Sequence, residues 1–79
     1  MLKIQILGSG CPNCTKLYEM TREAATAAGA QFEIEKVQDI QKIMEFNILA
    51  TPALVINGEV KVAGRVPSLD EVRKHLGIS

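Results

Sequence analysis

The sequence predicts an α/β fold, a four-stranded mixed sheet with helices on both faces. Three observations carry that expectation. Apolar runs of strand length alternate with stretches of helical period in the order β-α-β-α-β-β-α. Asn57-Gly58 stands between two β-branched runs, and Asn-Gly is the strongest short hairpin signal because both central residues of a type I′ turn need positive φ. The chain has 79 residues, which is room for one domain, 1–79, and it shows no repeat, low-complexity tract or linker.

Leu2 to Leu7 is a short isoleucine-rich run and reads as a central strand, which Gly8-Ser9-Gly10 ends. Pro12 opens a helix expected to reach about Ala28, because a residue with fixed φ and no N–H suits the first helical position. Cys14, Leu17, Thr21, Ala24 and Ala28 recur at helical spacing as its expected inward face, and Gly29 is the expected stop. Gln31 to Val37 alternates, as a strand exposed on one side does. Asp39 is the expected N-cap of a short helix through Phe46, with Ile40, Ile43 and Met44 inward. Residues 53–56 and 60–63 flank the Asn-Gly tip. Ser68-Leu69-Asp70-Glu71 is a capping box for a last helix to about Leu76, which Gly77 stops. The first two strands, joined through a helix, should be parallel with a right-handed crossover.

Composition excludes several functions. Nine basic and nine acidic side chains cancel, so there is no electrostatic reason to expect nucleic acid or an anionic membrane as partner. The few aromatics, Tyr18, Phe32 and Phe46, make no stacking surface for bases. The apolar N-terminal run is too short for a secretory signal, and no run approaches the roughly 20 residues that cross a bilayer. A cytoplasmic monomer is expected. In that compartment a lone C-x-x-C is redox or metal chemistry rather than a structural staple.

Cys11-Pro12-Asn13-Cys14 holds both cysteines. In a helix an i, i+3 pair has Cα atoms about 5 Å apart, within the reach of a disulfide. So short a ring removes little entropy from the unfolded chain, so it suits switching better than stapling. With Pro12 first in the helix, Cys11 falls at the N-cap. There a thiolate can accept from the free N–H groups of Asn13 and Cys14 and meets the positive end of the dipole. Both effects lower its pKa, and the thiolate is the attacking species. Cys14, a turn inside, should be the more buried and less acidic thiol. Cys11 is therefore expected to attack a target disulfide and Cys14 to resolve the mixed disulfide.

This order of elements, with C-x-x-C opening the first helix, resembles the thioredoxin fold. A second likeness is more specific: 46–59, Phe-Asn-Ile-Leu-Ala-Thr-Pro-Ala-Leu-Val-Ile-Asn-Gly-Glu, looks like the thioredoxin segment that runs through the cis-proline into the hairpin. The likeness covers essentially the whole chain. Its shortness is similar to glutaredoxins and to small archaeal and bacterial thioredoxin-like reductases. The resemblance implies a protein disulfide oxidoreductase with a redox-active Cys11/Cys14 disulfide, serving electron transport and cell redox homeostasis without a bound cofactor. It implies a cis Pro52 facing the cysteines, with Thr51, Pro52, Pro12 and Asn13 meeting substrate. The backbone of Thr51 would pair with an extended substrate strand. Disulfide-containing proteins are the implied substrates, and a reductase or low-molecular-weight thiol the implied electron donor.

The chain departs from the thioredoxin pattern in three ways. Gly8-Ser9-Gly10 stands where a tryptophan precedes the first cysteine, the first strand carries no acid to assist resolution, and proline comes first rather than second between the cysteines. Without the acid, Gln5 or solvent must serve. Two other functions compete. A soft-metal site on C-x-x-C would need a dimer to complete a four-ligand zinc site, since one chain offers two thiols and a distant His75. A glutathione-dependent glutaredoxin would use Gly64 and the Ser68 helix start, although Ala63-Gly64-Arg65-Val66 lacks the usual signature. Lys16, Tyr18, Met20 and Gly58 need only solvation, packing or turn geometry.

Overall fold

The computed structural model describes residues 1–10 and 12–77. The elements run β1 (Leu2–Leu7), α1 (Pro12–Ala27), β2 (Phe32–Val37), α2 (Ile40–Met44), β3 (Ala53–Ile56), β4 (Glu59–Ala63) and α3 (Leu69–His75). The four strands lie in the order β2-β1-β3-β4. β1 is central: it pairs in parallel with β2, Leu2 opposite Phe32 and Leu7 opposite Val37, and antiparallel with β3, Leu7 opposite Ala53. This is the mixed sheet expected from a β-α-β unit followed by a hairpin.

Alternation along the strands builds two cores, one on each face. On one face Ile4, Ile6, Leu54, Ile56 and Val62 pack with Leu17, Ala24 and Ala25 of α1 and Val72 of α3. On the other, Leu7, Val37, Ala53 and Val55 pack with Ile43 of α2. The hairpin feeds both faces through a bulge. Leu54 pairs with Val62 but Val55 pairs with Val60, so Lys61 is the extra residue. Simple alternation would leave Val60 and Val62 on one side; the bulge sends Val62 to the first core and Val60 to the second.

Local signals set the ends of elements. Asn57 and Gly58 take φ of 53° and 82°, as a type I′ turn requires. Asn57 Oδ1 also accepts from the Lys3 N–H at 3.0 Å, tying the hairpin tip to the start of β1. Asp39 caps α2 by accepting from Gln41 N–H at 2.9 Å, and Ser68 Oγ caps α3 by accepting from Glu71 N–H at 3.2 Å.

Three inward assignments fail. Ala28 lies beyond the end of α1 and is exposed, and Ala25 takes the buried place instead. The turn that ends α1 is held by Ala30 N–H donating to Ala25 O, so the inward face moves back one turn. Ile40 and Met44 are 65% and 67% exposed. α2 has five residues and presents only Ile43 to the sheet. Phe46, beyond its end, supplies the remaining packing.

Thr21 sits fully buried on α1, and among the described residues its hydroxyl has no hydrogen-bond partner. A buried unpaired hydroxyl costs about 1–3 kcal/mol. Thr21→Val keeps the shape and removes the hydroxyl, so urea unfolding should show a gain of about 1 kcal/mol. A loss of stability would mean that the hydroxyl finds a partner in solution.

Candidate functional site

The site lies where β1, α1 and the segment entering β3 converge. β1 delivers the chain to Gly8, whose N–H donates to Val37 O at 3.0 Å and extends the parallel ladder one residue past Leu7. Gly10, with φ of 90°, makes the turn toward the cysteines. α1 then begins at Pro12, the position its ring predicts. Cys11 lies outside the described residues.

Cys14 is buried, 6% exposed, on the inward face of α1. Its sulfur lies hard against β1: a Cβ placed on Gly8 would collide with Cys14 Sγ and would stand 3.8 Å from Thr51 Cβ. Gly8, Cys14 and Thr51 therefore meet at one point. Gly8 is the residue that reading along the chain missed. Its φ lies outside the left-handed region, so glycine is required by space alone. No local turn signal reports that.

The Thr51–Pro52 peptide bond is cis. Pro52 is buried while Thr51 is exposed beside Gly8. Pro52 O accepts from Gly64 N–H at 2.8 Å. Gly64, with φ of 85°, seats its turn against Ala50, whose Cβ would stand 3.2 Å from an added Gly64 Cβ. Pro12, Asn13, Ala50, Thr51, Ala63 and Gly64 are all exposed.

The turn at Gly64 is tied to α3. The Arg65 guanidinium donates to both carboxylate oxygens of Glu71, at 3.0 and 2.5 Å, and His75 Nε2 lies 3.7 Å from the same carboxylate. The hydrogen bond from Arg65 holds the Glu71 carboxyl below its usual range, and Glu71 in turn raises Arg65. His75 thus belongs to the C-terminal helix network, in the last turn with Arg73 and Lys74, where cations suit the dipole.

Gln5 does not reach the cysteine side. It extends over the α2 face, into an open groove of about 650 Å³ lined also by Lys3, Lys42, Glu45 and Phe46, and donates to Glu35 Oε1 at 2.8 Å. On the α1 side Tyr18 is half-buried, with the Lys36 ammonium 4.7 Å from its ring centroid. Lys16 is exposed and Met20 packs on the first core. Among the described residues no three His, Cys, Asp or Glu side chains are placed to hold a metal ion. No described helix is long and apolar enough to cross a membrane.

Residues 2–77 match the family model for the thioredoxin domain. The chain is similar to a thioredoxin of Methanothermobacter thermautotrophicus, 43% identical over 76 residues that cover 96% of this chain and 99% of that protein. A thioredoxin of Methanocaldococcus jannaschii is 34% identical over 76 residues, 96% of this chain and 87% of that one. A probable thioredoxin of Methanothermobacter marburgensis is 32% identical, covering 91% of this chain and 88% of that one.

Proposed function

This chain belongs to the thioredoxin family and is a thiol–disulfide oxidoreductase, and from that premise we propose that Cys11 and Cys14 are its redox pair. Cys11 is the nucleophile. As a thiolate at the start of α1 it attacks a disulfide in a protein substrate, forming a Cys11–substrate disulfide and releasing the first substrate thiolate. Cys14 then attacks Cys11, the internal disulfide forms, and the second substrate sulfur leaves as a thiolate. Two electrons pass from the dithiol to the substrate. A reductase or low-molecular-weight thiol returns them.

The observation that carries this reading is the meeting of Cys14 Sγ, Gly8 and Thr51 at one point. Cys14 is too buried to take a bulky substrate, which suits the resolving role. Thr51 and the flanking Pro12 and Asn13 are exposed around it. The exposed backbone at Thr51 pairs with an extended substrate strand, while Gly64 holds Pro52 from behind. The working unit is one domain spanning 1–79, acting in the cytoplasm as a monomer that reduces its clients.

Trapping tests the assignment. Cys14→Ser should accumulate a covalent adduct with a disulfide substrate through Cys11, visible by mass spectrometry and released by dithiothreitol. Adduct formation through Cys14 in Cys11→Ser, with none in Cys14→Ser, would reverse the two roles.

A further inference from the structure

The turn that backs the cis Thr51–Pro52 bond has little packing of its own. Gly64 N–H donates to Pro52 O at 2.8 Å, but Gly64 has no side chain, takes φ of 85° and is exposed. Ala63 and Arg65 on either side of it are exposed too. The next fully buried residue along the chain is Pro67. A backbone hydrogen bond at an exposed glycine opens readily, because water competes for both partners and glycine gains the most freedom on release.

Arg65 supplies what the glycine lacks. Its side chain crosses to α3 and donates from two guanidinium nitrogens to the two carboxylate oxygens of Glu71, at 3.0 and 2.5 Å. A fork on a fork fixes orientation as well as distance. His75 Nε2, at 3.7 Å from the same carboxylate, is too far to hydrogen-bond, so Arg65 is the group that holds it. Glu71 itself is well anchored. It lies in the first turn of α3, its backbone N–H donates to Ser68 Oγ, and Val72 beside it is fully buried in the first core. An exposed ion pair of this kind adds little to global stability. One of its ends here is a turn free to move, so its effect falls on the turn.

We infer that Arg65 and Glu71 are positioning residues for substrate. Their ion pair ties the Gly64 turn to α3 and, through the Gly64–Pro52 hydrogen bond, keeps the Thr51 backbone set for an incoming strand. The inference rests on the reading that Thr51 meets substrate. Both side chains act through Gly64 and Pro52. A turn already in place spares the substrate the entropy of ordering it on binding. Loss of the pair therefore weakens binding and leaves the chemical step as it was.

Two measurements test this. Arg65→Met and Glu71→Gln, made singly and together, should raise the half-saturating concentration in single-turnover reduction of an extended peptide disulfide by about two- to fivefold, with the maximal rate unchanged. The double variant should match the single ones, because the second substitution removes nothing once the pair is gone. Amide exchange at Gly64, read by NMR, should quicken by a similar factor in the same proteins, while Gly8, whose N–H donates to Val37, keeps its parental rate. Asp70→Asn removes the other first-turn acid of α3 and should leave both readouts parental. Unchanged exchange at Gly64 overturns the tether. Faster exchange with a parental half-saturating concentration overturns its bearing on substrate. An equal effect of Asp70→Asn, or additive losses in the double variant, marks a general weakening of α3 and also overturns the inference. A Cys14→Ser protein that traps the same peptide in any of these cases leaves the cysteine roles standing. One that traps no peptide removes the substrate reading, and this inference with it.

Discussion

Cys11→Ser is expected to lower reduction of a model protein disulfide such as insulin by at least about a thousandfold, to the rate of the uncatalysed reaction. A serine hydroxyl stays protonated at neutral pH and forms no bond to sulfur that a second thiol can resolve. The remaining thiol does not replace it, because Cys14 is 6% exposed and its sulfur is pressed against Gly8. A substrate disulfide must approach along the axis of three sulfurs in line, and a bulky protein cannot follow a small reagent to that depth. Turnover assays and single-turnover mixing read the same loss. Activity above about a tenth of the parent rate would mean that Cys14 meets substrate directly, against the burial that gives the pair its order.

Gly8→Ala should bring the second large effect, through space rather than charge. The new Cβ collides with Cys14 Sγ. Neither partner moves freely: Gly8 is held in the ladder by its bond to Val37, and Cys14 is fixed on a helix whose Leu17, Ala24 and Ala25 are packed on the sheet. Overpacking of this kind costs about 1–3 kcal/mol, a large share of the stability of so small a domain. The relief available is to push α1 away from β1, which moves the Cys14 sulfur. Urea unfolding should shift accordingly, and the mixed disulfide should persist longer than in the parent. Ser9→Ala, at the exposed neighbour, should stay within about 0.5 kcal/mol. A Gly8→Ala protein with parental stability and turnover would show that the contact relaxes without cost.

Both expectations come from the same arrangement. A redox pair on a helix start needs one sulfur held still and one within reach, and the end of an interior strand supplies the wall. Glycine at the end of the central strand lets that wall come into contact with the sulfur. The cis Thr51–Pro52 segment and the Gly64 turn, which Arg65 and Glu71 anchor to α3, complete the surround.

The sequence by itself determined what depends on a few adjacent residues. Asn57-Gly58 made the hairpin because its φ values are intrinsic to those residue types. Pro12 started α1, and Asp39 and Ser68 capped α2 and α3, because each acts within one turn of chain. The spacing of the two cysteines was likewise written locally, as was the parallel pairing forced by a helical crossover. Only the tertiary structure decided matters of contact between distant segments. The bulge at Lys61 separated Val60 from Val62. The five-residue α2 turned only Ile43 inward and left Ile40 and Met44 in solvent. Gln5 was taken by Glu35 on the neighbouring strand, and Lys36 was brought to the Tyr18 ring. Gly8 looks like a chain break until a sulfur six residues later fills the place of its missing side chain. Backbone preferences are properties of neighbours in sequence, whereas the occupancy of space depends on every element that reaches the same point.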